Sequence, residues 1–190
     1  MTLPLRPELV GLTPYGAPQL DVAAMLNVNE NPYAPPPSVV DAITRSVHDA
    51  VEGLNRYPDR EFLGLRTDLA RYLATESHVD FLEPHNIWAA NGSNEIMLHL
   101  HQAFAGPGRK VLSFAPTYSM YPEYSRDTVT EYVTLPRRDD FRLDMDAAVA
   151  AIADIAPTIV LVASPNNPTG TALGLDEVRV LAAACAEVPG

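Results

Sequence analysis

Between Ser38 and Gly53 the apolar residues Val39, Val40, Ile43, Val47 and Val51 recur at helical spacing, behind a Ser38 N-cap with Asp41 three residues on. That pattern predicts a first helix. A second is predicted over 61–73, with Phe62, Leu65, Leu69 and Tyr72 or Leu73 on its inner face. After Asn86 short apolar runs alternate with helical stretches, the pattern of strands joined by crossover helices. The predicted strands are 87–90, 111–114, 128–135 and 158–163, and the helices between them are 95–104, 118–126 and 144–153. A last helix over 175–187 runs into Val188-Pro-Gly190, where an α/β chain is expected to enter its next strand, so the sheet is expected to be unfinished. Residues 1–37 are rich in proline and turn formers and have no apolar period, which predicts an extended arm. The expected organisation is an arm over 1–37 followed by an incomplete α/β domain over 38–190, built on a mostly parallel sheet.

Composition narrows the class. With 190 residues, 47% of them hydrophobic, the chain can fill one core and not two. Its net charge of −11 repels a phosphate backbone or an anionic lipid face, so no nucleic-acid or membrane partner is expected. No apolar run approaches the roughly 20 residues that span a bilayer, and the amino terminus lacks the regions of a signal peptide, so a cytoplasmic location is expected. The single cysteine, Cys185, sits in an apolar run and is read as a small core hydrophobe rather than a nucleophile or metal ligand. Lysine is the scarcest basic residue: only Lys110 is present.

Three turns at predicted strand ends carry the chemistry, because ligands of open α/β sheets collect at the carboxyl ends of strands. Ala90-Asn-Gly-Ser-Asn-Glu95 leads through a glycine into a helix, whose first N–H groups and dipole can hold a phosphate; the other reading is that Ser93 or Asn91 caps its own helix. The charge of Glu95 counts against an anion there. Phe114-Ala-Pro-Thr-Tyr118-Ser-Met-Tyr121 presents aromatic side chains at the same edge, either to stack on a flat ligand ring or as packing. Ser164-Pro-Asn-Asn-Pro-Thr-Gly170 has two X–Pro bonds, two asparagines and a glycine in seven residues, more rigidity than a generic turn needs, which suits aiming a carboxamide at a ligand oxygen.

These turns in this order, with Asn27-Val-Asn-Glu-Asn-Pro32 and Arg56-Tyr-Pro-Asp59 upstream, resemble the pyridoxal-phosphate aminotransferases of the aspartate-aminotransferase fold, and among them the histidinol-phosphate aminotransferase family. The likeness runs from about Leu12 to the carboxyl end. It implies the three-layer large domain of that fold, with pyridoxal 5′-phosphate as cofactor. Gly92, Ser93 and Asn94 would hold the cofactor phosphate, Tyr118 would stack on the pyridine ring, and Asn167 would bind the ring's phenolic oxygen. The tyrosine matching Tyr57 reaches the cofactor of a neighbouring subunit in that family, which implies a homodimer, and Tyr15 and Asn31 match arm positions near the substrate. The implied reaction moves an amino group between glutamate and imidazole-acetol phosphate, giving histidinol phosphate and 2-oxoglutarate.

The family's chemistry needs a lysine to form the Schiff base and shuttle a proton. Lys110 precedes the Tyr118 turn, whereas the family's lysine follows the Asn-Asn-Pro-Thr-Gly turn, so the resemblance places it beyond Gly190. The cofactor-pairing aspartate, a nearby tyrosine and the carboxylate-binding arginine fall there too. No catalytic residue is therefore expected in these 190 residues, and the chain alone is expected to be inactive. Other readings are an aminotransferase of aromatic amino acids, a threonine-phosphate decarboxylase-like enzyme, or a non-catalytic binding or assembly module.

Overall fold

The computed structural model of the chain describes residues 4–13, 16, 18, 20–25 and 27–189. It divides into two compact units, 1–88 and 89–190.

In the first unit a 3-10 turn, Pro7–Leu9, precedes helices α1 (Pro37–Ala50) and α2 (Leu63–Ser77). The predicted stripe of α1 forms, but it stays in solvent, with Val39, Val40, Ile43, Val47 and Val51 all exposed. The predicted inner face of α2 is corrected: its buried residue is Ala70, while Leu65, Tyr72 and Leu73 are exposed. What anchors α2 is Arg66, whose Nε donates to the Pro84 carbonyl at 2.9 Å while its guanidinium lies over the Phe62 ring. Phe62 in turn meets Trp88 edge to face at 5.6 Å.

The second unit is an α/β sandwich. Its strands β1 (Lys110–Ala115), β2 (Glu131–Pro136) and β3 (Ile159–Leu161) form a parallel sheet in the order β2-β1-β3. Helices α3 (Ser93–Phe104), α4 (Tyr121–Asp127), α5 (Met145–Ile155) and α6 (Leu175–Ala186) cover it. Strand alternation sorts the central residues onto two faces. Leu112 and Phe114 pack with Leu143, Ala148, Ile152 and Leu181, so α5 and α6 lie on one face. Val111 packs with Tyr121, Tyr124, Leu161 and Met97, so α3 and α4 lie on the other. Residues 111–114 of β1 are buried on both faces, as a strand covered by crossover helices must be.

The strand predicted over 87–90 is not found as a strand. Ile87 is extended and buried, but the segment has no ladder partner among the described residues. The strand predicted from 128 starts at Glu131 because Thr128, Val129 and Thr130 form a turn. In that turn Val129 takes φ +56°, the Thr130 N–H donates to the Ser125 carbonyl, and the two threonine hydroxyls meet at 2.8 Å.

Candidate active site

The three sequence turns emerge at the mouth of this sheet. The first is the entry to α3, where Gly92 takes φ +80° and ψ 172°, a conformation open essentially to glycine alone. No side chain caps α3, so its first N–H groups stay available. Glu95, in the same first turn, has its Oε2 accepting the Asn91 N–H at 2.6 Å.

Asn94, in the first turn of α3, is held from two sides. Its Oδ1 accepts the Tyr118 hydroxyl at 3.2 Å and the Tyr124 hydroxyl at 2.6 Å. An amide whose oxygen is doubly engaged keeps its NH2 group as the free, oriented donor. Tyr118 itself, half-buried at the end of the β1 turn, meets Tyr121 edge to face at 5.7 Å. The two candidate roles of those tyrosines are thereby divided: Tyr121 is buried packing and Tyr118 stands at the mouth. Burial pushes the Tyr121 phenol up from its ordinary value, with Tyr132 and Tyr118 adding to the rise and Arg137 opposing it.

The third turn is joined to the second through Asn166. This side chain is buried, donating from Nδ2 to the Pro116 carbonyl at 3.1 Å and to Thr169 Oγ1 at 2.8 Å. Its backbone closes the turn, accepting from the Gly170 N–H at 2.7 Å and donating to the Thr171 carbonyl at 2.8 Å. Its neighbour Asn167 is exposed. Ala115-Pro116, Ser164-Pro165 and Asn167-Pro168 are cis. Of the residues expected at the site, the structure thus puts Asn94 against Tyr118 and ties the Pro116 end of the Tyr118 turn to the residue before Asn167.

The upstream candidates stand apart from this description. Tyr57 is fully exposed in the first unit, and Asn31 Oδ1 accepts the Tyr33 N–H at 3.0 Å in a local turn. Tyr15 lies outside the described residues. Lys110 sits at the opposite end of β1, five residues before Ala115, about 16 Å from the turns at strand rise. Cys185 packs on the α5/α6 core, and burial pushes its thiol up, as expected of a core hydrophobe.

Three residues were not singled out from sequence. Tyr124, third in the spacing Tyr118, Tyr121, Tyr124, is a buried hydroxyl that fixes Asn94; that three-residue period was its available signal. Asn166 looks like its neighbour in sequence, and only burial separates them. Arg137, just past β2, carries no sequence signal beyond its place at a strand end. The donor set suits a phosphorylated aromatic ligand: free helix N–H groups and an amide NH2 for the phosphate, and an aromatic ring at the same edge. A buried Thr117 hydroxyl without a partner lies in that turn, a polar group that costs about 1–3 kcal/mol unless something satisfies it. Among the described residues no cluster of His, Cys, Asp or Glu could hold a metal ion, and no helix is long and apolar enough to cross a membrane.

Residues 23–189 match the family "Aminotransferase class I and II". The histidinol-phosphate aminotransferase of Bifidobacterium longum is 55% identical over 190 residues, covering 99% of this chain and 49% of that protein. That of Thermobifida fusca is 56% identical over 182 residues, covering 96% and 48%. The chain thus spans about half the length of the curated relatives it matches. The crystal structure of histidinol-phosphate aminotransferase from Sinorhizobium meliloti in complex with pyridoxal-5′-phosphate matches with a TM-score of 0.64 at 26% identity, over 82% of this chain and 38% of that one. A Thermus thermophilus aspartate aminotransferase mutant matches in fold with a TM-score of 0.72 at 24% identity, over 84% and 44%. From the match over 23–189 and the α/β sandwich that carries its turns, this chain belongs to the class I and II aminotransferase family.

Proposed function

We propose that this chain forms the cofactor cradle of a pyridoxal-phosphate-dependent histidinol-phosphate aminotransferase, which moves an amino group between glutamate and imidazole-acetol phosphate in histidine biosynthesis. The observation that carries the reading is the doubly held Asn94 at the uncapped start of α3, beside the Tyr118 ring. The family match and the names of relatives at 55–56% identity support it.

In this reading the Gly92 turn, Ser93 and Asn94 bind the cofactor phosphate, where the helix dipole adds about 0.3–1 kcal/mol per favourably placed charge. Tyr118, oriented through its hydroxyl bond to Asn94, would stack on the ring, a contact worth about 0.5–1.5 kcal/mol beyond area burial. Asn167, on the turn that Asn166 secures, would bind the ring's phenolic oxygen through its carboxamide. When bound, pyridoxal phosphate supplies the electron sink on which the amino group is exchanged. Tyr57, fully exposed here, reaches the site of a second copy, so the working protein is a homodimer. Tyr15 and Asn31 contact the substrate. A biosynthetic role of this kind belongs in the cytoplasm.

Nothing in these 190 residues supplies the amine that links the cofactor, because Lys110 lies at the far end of β1. The test assays the chain alone and with the carboxyl-terminal half of the Bifidobacterium longum protein, the part that this chain does not cover. Amino transfer from histidinol phosphate to 2-oxoglutarate is expected only in the second case, and faster than from phenylalanine. A preference for phenylalanine, or turnover by the chain alone, would overturn the reading.

A further inference from the structure

The side chain of Arg137 crosses the carboxyl edge of the sheet. Its backbone N–H extends the β1–β2 ladder, donating to the Ala115 carbonyl at 2.8 Å. From there Nε donates to the carbonyls of Phe114 and Pro116, both at 3.1 Å, and Nη1 to that of Phe141 at 3.0 Å. Nη2 donates to Asn166 Oδ1 at 2.9 Å. Strands β2 and β3 flank β1 and do not pair with each other. One guanidinium therefore links the strand after which it stands, the turn leading to Tyr118, and the turn carrying Asn167. It makes no ion pair among the described residues, and its hydrogen bonds go to carbonyl and amide oxygens. Burial pushes its pKa down, with Tyr121 opposing. A half-buried cation without a carboxylate is costly to keep, and the compensation here is four acceptors in a planar fork that a lysine cannot reproduce.

We infer that Arg137 is a positioning residue: through Asn166 it sets the Ser164–Gly170 turn against the Tyr118 turn, and so fixes the spacing of ring stack and carboxamide. The cofactor side of this inference rests on the function proposed above; the geometric side does not.

The experiment follows backbone amide exchange in the 190-residue chain and in R137K, R137Q and N166A. Asn166 and Gly170 donate the two amides that close the third turn. Removing a hydrogen bond to a charged group is expected to speed their exchange about 10-fold or more in R137Q. R137K is expected to do the same, because a point charge cannot span the acceptors, while Leu112 and Ser113 in β1 keep wild-type rates. The double variant R137Q/N166A is expected to exchange no faster than the faster single variant. In parallel, pyridoxal 5′-phosphate should bind R137K about 10-fold more weakly than wild type, with inorganic phosphate, held at α3 alone, unchanged. Wild-type exchange in both Arg137 variants, or full rescue by R137K, overturns the inference; should R137Q fail to fold, R137K and N166A decide it. Absence of pyridoxal 5′-phosphate binding by the wild-type chain would count against the cofactor reading alone, since the exchange arm still decides the role of Arg137.

Discussion

Gly92 offers the sharpest test of the cradle. A Cβ built on it meets no atom within 4 Å, so Gly92→Ala introduces no clash with a neighbour. The penalty is purely torsional: φ +80° with ψ 172° is a region that residues with a Cβ occupy at a cost of about 1–3 kcal/mol. That cost must appear in one of two places. If the turn is kept, the folded state loses it, and with about 2–4 °C per kcal/mol for a chain of this size the midpoint falls by roughly 2–12 °C. If the turn relaxes to normal torsions, stability is spared, the N–H groups of α3 lose their aim, and affinity for phosphate falls by up to about 100-fold. Calorimetric melting together with titration of pyridoxal 5′-phosphate and of inorganic phosphate reads both quantities. The two losses are expected to sum to the torsional cost. A G92A chain that melts and binds as the wild type does would refute both the strained turn and its role as an anion seat.

Other expectations follow from the same geometry. Tyr124→Phe removes the 2.6 Å bond to Asn94 and keeps the ring on His101, so it should cost about 0.5–1.5 kcal/mol and weaken phosphate binding more than Tyr121→Phe, measured by the same titration. Leu112→Ala, at a fully buried site on the α5/α6 face, should destabilise by about 2–5 kcal/mol in urea unfolding without changing the α3 entrance. His101 is fully buried; its Nδ1 meets the Met97 carbonyl at 2.7 Å and its Nε2 has no partner, and burial pushes its pKa below the ordinary 6.5. The unfolded chain then takes up a proton before the folded one does, so this stability is complete above pH 6.5 and is lost as pH falls below it, with a slope of at most about 1.4 kcal/mol per pH unit. Melting curves of wild type and His101→Leu between pH 5 and 8 should converge in slope above pH 7 and diverge below 6.5; parallel curves would contradict the assignment.

Much of the second unit was readable from periodicity. The core strands β1 and β3 and the helices α3 to α6 lie close to where apolar spacing puts them, because each element buries a face whose period it must match. Residues 87–90 misled because an apolar run records the wish for burial and says nothing of a neighbouring strand to pair with. Leu65 and Tyr72 misled for the converse reason, since helical spacing specifies a stripe and not what covers it. At the mouth of the sheet the motif turns stood out through their glycines, prolines and asparagines. Arg137 and Asn166 did not, because the contacts that join them to Pro116 and to each other span 21 to 50 residues and leave no trace in local composition.

The two faces of β1 differ in chemistry, and this should govern how the protein tolerates change. Behind Leu112 and Phe114 the filling is aliphatic, and exchanges that conserve volume should pass at less than about 1.5 kcal/mol. On the α3/α4 side, Ser113, Tyr121, Tyr124 and His101 bring hydroxyls and ring nitrogens into the interior, where losing a polar partner is costly. Neutral drift should therefore accumulate beneath α5 and α6, while the other flank keeps its residues as a set, changing several together or none.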